Sequence, residues 1–171
     1  MCLYTYQKKP SIAGKDMFCY KIMTLDVLTI RDEGDIRKQY RLNSYVRGYP
    51  YKLGNVRTEA LFDTDVNRYE YCTNKFFDLR WVYAHKYGFH AYTTLNEANR
   101  MCKRLQSYEA KNILVVAKCR IPEGTPYFNG DIDSEGQLCS QAIEVVGWKC
   151  VNAKKWRTTM KIRLKDNILC A

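Results

Sequence analysis

Apolar and polar residues alternate with a period of two over most of the chain, and the period lengthens clearly once. Residues 1–7 alternate, with Cys2, Tyr4 and Tyr6 on one side, until Lys8, Lys9 and Pro10 break the run. Residues 17–25, MFCYKIMTL, are rich in β-forming side chains and predict a buried strand. Asp32-Glu33-Gly34-Asp35 is a turn signal. Residues 39–57, QYRLNSYVRGYPYKLGNVR, interleave tyrosines with arginines and lysines and are punctuated by Gly48, Pro50 and Gly54. They fit a loop-rich pair of strands. Residues 69–85 are dense in aromatics and match no single template.

The change of period falls at KYGFHAYTTLNEA, residues 86–98. Phe89, Ala91 and Thr93 point one way and His90, Tyr92 and Thr94 the other, as in a strand. Thr94-Leu95-Asn96-Glu97 then reads as a capping box, in which the threonine hydroxyl serves an orphan N–H and the glutamate reaches back to the cap N–H. A helix is expected over about 95–108. Its apolar stripe is Leu95, Ala98, Met101, Cys102 and Leu105, with Arg100, Lys103 and Arg104 outside. Strands are expected again at 113–121 (ILVVAKCRI), 138–148 and 158–164, with turns at Pro122-Glu123-Gly124 and Asn129-Gly130. The sum is an α+β fold, a mainly antiparallel twisted sheet packed against one principal helix.

A length of 171 residues fits one domain, 1–171, with a core of useful size. The segment 149–171 is expected to form a strand or hairpin. No apolar run is long enough to cross a membrane, and the first residues lack the apolar stretch of a secretory signal, so a cytoplasmic protein is expected. Eight cysteines are scattered with no CxxC pair, which speaks against a metal site and for small buried hydrophobes.

Charge changes the picture more. Lys plus Arg number 28 against 18 for Asp plus Glu, a formal net charge of +10. Such an excess favours a polyanionic or acidic partner, nucleic acid or protein. Two groups of residues could make the contact. Arg41, Tyr45, Arg47, Tyr49 and Lys52 could stack bases while the cations follow phosphates. Lys154, Lys155, Arg157, Lys161 and Arg163 form a basic stretch near the end, where Asp166 is the one acidic residue after Trp148. No reactive constellation stands out. His90 could act as a base or meet an anion at the helix start, but a hydrogen-bonded strand histidine explains it as well. Cys102 could pair with it, yet it lies on the apolar stripe and reads as a packed thiol.

Several segments together resemble a group of small uncharacterised proteins of tailed phages and gut bacteria. They are Met1-Cys2-Leu3, Cys19-Tyr20-Lys21, Tyr51-Lys52-Leu53-Gly54, Gly88-Phe89-His90-Ala91-Tyr92 and residues 118–127, KCRIPEGTPY. The resemblance implies a phage or host protein, active in the cytoplasm or carried as a virion component, and it implies no chemistry. A second pattern is similar to ADP-ribosyltransferases, with Lys21 at the Arg/His position, Thr93 in the hydroxyl-rich segment and Glu144 as the glutamate, His90 standing nearby. That likeness implies NAD as a cofactor. Lys21 departs from the family pattern, and so does the spacing in Gln141-Ala142-Ile143-Glu144. The principal expectation is therefore a binding or accessory protein without a cofactor, and the alternatives are an NAD-dependent enzyme or a virion part.

Overall fold

The computed structural model describes residues 3–32, 35–60, 62, 66–73, 78–85, 87–108, 112–130 and 136–150. Chain order runs through β1 (Leu3–Thr5), β2 (Ser11–Ile12), β3 (Met17–Asp32), β4 (Asp35–Ser44), β5 (Pro50–Tyr51), β6 (Val56–Thr58), β7 (Val66–Thr73), β8 (Asp78–His85) and β9 (Phe89–Tyr92). The helix α1 (Leu95–Tyr108) follows, then β10 (Ile113–Ile121), β11 (Pro126–Asn129), β12 (Gln137–Ser140) and β13 (Ala142–Cys150). The α+β expectation holds, and so do the bounds of the helix and of the strand at 113–121.

The main sheet has the order β2-β11-β12-β9-β3-β10-β13-β6, with β4 on β3 and β5 on β4. Its ladders are antiparallel. A smaller sheet orders β1-β8-β7. Strand β3 outruns the apolar stretch that marks its start. Its second half pairs with β4 down to Asp32 opposite Asp35, and Glu33 and Gly34 of the expected turn lie outside the described residues. Of the aromatic-rich stretch 69–85, residues 69–73 belong to β7 and 78–85 form β8, and the two strands pair antiparallel.

Each face of the main sheet carries its own packing. On one face Cys19, Met23, Val115, Cys119, Ile121, Ile143 and Val145 are fully buried with Phe89, Ala91 and Leu138. On the other, Ile22, Tyr92, Leu114 and Val116 receive Ala98 and Cys102 of α1. The helix therefore uses the stripe read from the sequence, with Met101 and Leu105 beside it. Leu95 is the exception and lies exposed, because it sits at the first helical position, before the helix comes over the sheet. Thr94 caps as expected, accepting from Glu97 N–H at 3.3 Å. The glutamate does not return to the cap N–H. Its carboxylate accepts the Thr94 hydroxyl at 2.8 Å instead. At the far end Gln106 fixes the way back into the sheet, donating to Asn112 O and accepting from Leu114 N–H.

In β1 the buried side chains are Leu3 and Thr5, while Tyr4 is exposed, so the side of the alternation opposite Tyr4 faces the core. One strand expectation changes. The single strand expected over 138–148 is two, broken at Gln141 so that β12 can join β9 and β11 while β13 joins β10 and β6. Gly124 takes the positive φ (79°) that its turn requires. Cys19, Cys102, Cys119 and Cys139 are free, buried thiols, as a reading of cysteines as hydrophobes expects. Among the described residues no helix is long and apolar enough to cross a membrane.

Candidate nucleic-acid interface

The site arises where β3 changes partners. One edge of β3 is paired with β10 from Met17 to Leu25. The other edge has two neighbours in succession. Tyr20 bridges Tyr92 of β9, and from Met23 onward β4 takes over. Lys21 and Ile22 fall in the gap, and on this edge no described strand pairs with them. In the register set by Tyr20 and Tyr92, His90 would come opposite Ile22. Strand β9 has already left, so the His90 carbonyl is turned from a ladder acceptor into a loose one. Lys21 fills the vacancy, its Nζ donating to His90 O at 2.7 Å.

A cleft opens over this gap, about 790 Å³ when its open mouth is counted. Lys21 and Ile22 form its floor, Phe89 to Tyr92 one wall, and the segment from Ser44 to Tyr51 the other, with Glu59 and Gln137 at its margins. The far wall is held in shape by its own turn. Ser44 N–H donates to Tyr49 O (2.7 Å) and Gly48 N–H to Ser44 O (2.8 Å), with Gly48 at φ 67°. Arg57 braces it, donating to Pro50 O at 2.6 Å and lying over the rings of Tyr49 (5.0 Å) and Tyr51 (5.5 Å). Arg47 reaches over the ring of Tyr87 at 5.5 Å.

Electrostatically the floor is unusual. Lys21 retains only 9% of its accessible surface. Burial pulls its ammonium below the ordinary lysine range, and Arg47 adds to this, while the thiols of Cys119, Cys19 and Cys139 act against it. No carboxylate among the described residues pairs with it. A buried cation normally has such a partner, since desolvation is otherwise uncompensated. Tyr51 is pushed up by burial and stays a neutral phenol.

The structure gathers some of the residues singled out in the sequence and scatters others. Tyr45, Arg47 and Tyr49 line the cleft together with Lys21 and His90. Arg41 does not. It reaches Asp26 at 3.4 Å on the open surface, and Asn43 donates to the same carboxylate at 2.6 Å. Lys52 is exposed beyond β5 and outside the lining. Lys154, Lys155, Arg157, Lys161 and Arg163 lie outside the described residues, as does the segment 151–171.

The four residues weighed for catalysis are not assembled. Glu144 pairs across the strands with Arg120, which pairs with Phe18, three residues from Lys21, so Glu144 and Lys21 project from opposite faces of the sheet. The Glu144 carboxylate is engaged by Arg120, through Nε at 2.7 Å and a terminal nitrogen at 2.5 Å. The same guanidinium holds Asp16 at 2.8 Å. Thr93 is exposed at the strand–helix junction, donating to Gly136 O at 3.1 Å. His90 has a cysteine near it, but it is Cys139, with Sγ 3.8 Å from Nε2, and not Cys102. Burial pushes the Cys139 thiol up to about 12 and the Cys102 thiol up to about 11, so neither supplies a thiolate near neutral pH. Among the described residues no group of His, Cys, Asp or Glu is placed to hold a metal.

Sequence reasoning missed Glu59, Gln137 and Ser44 as lining residues and Arg57 as a brace. Ser44 and Arg57 lie within the tyrosine-rich stretch 39–57, whereas Glu59 and Gln137 come from outside it and nothing local marks them. Lys21 carried a faint signal, a lone cation within an otherwise apolar strand. No protein-family model matches this chain, and no curated protein or solved structure matches it either.

Proposed function

We propose that this protein is a non-enzymatic nucleic-acid-binding protein and that the cleft between β9 and the 44–51 turn is where it takes hold. The carrying observation is a cleft whose walls supply exposed Arg47 and Tyr49 and whose lining includes Lys21, a buried ammonium without a carboxylate partner among the described residues. Cations for phosphate beside aromatic faces for bases are the combination that sequence-tolerant binding of single strands uses. The net charge of +10 supports the same reading through long-range attraction. The resemblance to phage proteins would put such binding in the infected cell or in the particle.

The NAD-dependent alternative asks for Lys21, Thr93 and Glu144 around one ligand. Lys21 and Glu144 stand on opposite faces, and Glu144 is occupied by Arg120. The geometry therefore favours binding over that chemistry.

Fluorescence anisotropy with short labelled single-stranded RNA and DNA tests the proposal. Binding is expected at low salt, with log K falling linearly as log salt rises. Arg47→Ala should flatten that slope by about one phosphate contact, and Tyr49→Ala should weaken binding by about 1–3 kcal/mol. No retention of either nucleic acid at low salt overturns the proposal. So does equal competition by polyglutamate, which would point to an acidic protein instead.

A further inference from the structure

We infer that the cleft is a receptor for a terminal phosphomonoester of a nucleotide, with Lys21 as the group that meets the phosphate. The inference rests on the nucleic-acid reading above and names the chemical end that the cleft accepts.

The argument is one of depth. A phosphodiester within a strand carries a sugar on both sides and must be met on an open surface. Lys21 is not on an open surface. It sits at the floor of a gap two residues wide, between Tyr20 paired with β9 and Met23 paired with β4, with nine-tenths of its surface covered. Only a group with a free end can descend to it. A phosphomonoester has that shape, and its two negative charges suit the two cations facing the space, Lys21 below and Arg47 at the rim.

The remaining lining fits the rest of a nucleotide. Tyr45 and Tyr49 are among the residues that line the cleft, with Arg57 over one face of the Tyr49 ring. Glu59, also in the lining, would repel a phosphate placed beside it, which leaves the Lys21 end of the cleft to the phosphate. One proton of the Lys21 ammonium is committed to His90 O, which leaves two to donate. The bond to His90 also anchors the side chain before any ligand arrives, so little ordering is needed on binding.

The experiment compares ends. Otherwise identical single-stranded oligonucleotides, one with a 5′-phosphate, one with a 3′-phosphate and one with hydroxyls at both ends, are titrated by anisotropy. Uridine 5′-monophosphate, adenosine 5′-monophosphate, their nucleosides and inorganic phosphate are titrated by calorimetry. One phosphorylated end should bind about tenfold or more tighter than the hydroxyl end, the equivalent of one charge-assisted hydrogen bond. Lys21→Met should erase that difference, so that the three oligonucleotides bind alike. Strong binding of a monophosphate alone assigns the cleft to free nucleotides, and preference for the oligonucleotide end assigns it to nucleic-acid termini. Equal affinity for all three ends in the unmodified protein overturns the inference whether or not the variant folds, and leaves the nucleic-acid reading standing. Monophosphate binding without binding of any oligonucleotide does the reverse.

Discussion

Lys21 Nζ donates to the carbonyl of His90 at 2.7 Å, and this one bond spans the place where β9 leaves β3. A side chain here does what a ladder N–H does elsewhere in the sheet. The exchange keeps a backbone acceptor satisfied while opening a cleft between strands that would otherwise close on each other.

That arrangement predicts a dependence on pH. The folded value of Lys21 lies below its ordinary 10.5, chiefly through burial. Between the two values the unfolded chain binds more protons than the folded one, so stability rises with pH across that window. Lys21→Met removes the slope. Urea midpoints of the two proteins should therefore diverge in favour of the unsubstituted protein as pH approaches 10.5. Parallel curves would show that the ammonium is not buried as described. Affinity for an anion should run the other way and fall as the lysine loses its proton.

Gly88 opens β9 with φ at 99°. A Cβ there would lie 2.5 Å from Cys139 Sγ and 2.9 Å from the Phe62 ring. Gly88→Ala should cost about 2 kcal/mol, combining backbone strain with overpacking. Adding Cys139→Ala should relieve the sulfur contact but neither the Phe62 contact nor the backbone strain, so a double-mutant cycle by chemical denaturation should give partial recovery. Full recovery would mean that φ carries no strain.

The Thr94 cap should be worth about 1 kcal/mol in a Thr94→Ala comparison, while Thr94→Ser should be nearly neutral. Because Glu97 accepts the same hydroxyl, Glu97→Ala should cost less in the Thr94→Ala background than alone. Additive losses would remove the coupling between them.

Asp16 lies below its ordinary 3.8, first through the Glu123 N–H and then through Arg120. Its stabilisation is complete above 3.8 and disappears as pH falls through the lower folded value. Asp16→Asn should accordingly lower the denaturation midpoint at neutral pH and make no difference in strong acid. Arg120→Met should lower it further at neutral pH, since it strands Glu144 as well.

By itself the sequence determined the elements whose signals are local. The helix at Leu95–Tyr108 follows from a cap and a stripe, and the strand Ile113–Ile121 from an unbroken apolar run. The α+β class follows from the sum of such signals. Local chemistry also marked Gly124, where a turn needs positive φ. Tertiary structure decided the rest because it depends on which edge meets which. The run from 138 to 148 contains no breaker at Gln141, and only competition between β9 and β10 for partners splits it. Lys21 and Glu144 fall in the order of a catalytic pattern, with departures at both, yet strand parity sets them on opposite faces. The cleft itself is a vacancy in a ladder, two residues of β3 left unpaired as one neighbour departs and another arrives. An unmade pairing leaves no mark on hydrophobic period, so it becomes visible only once every strand has found its place.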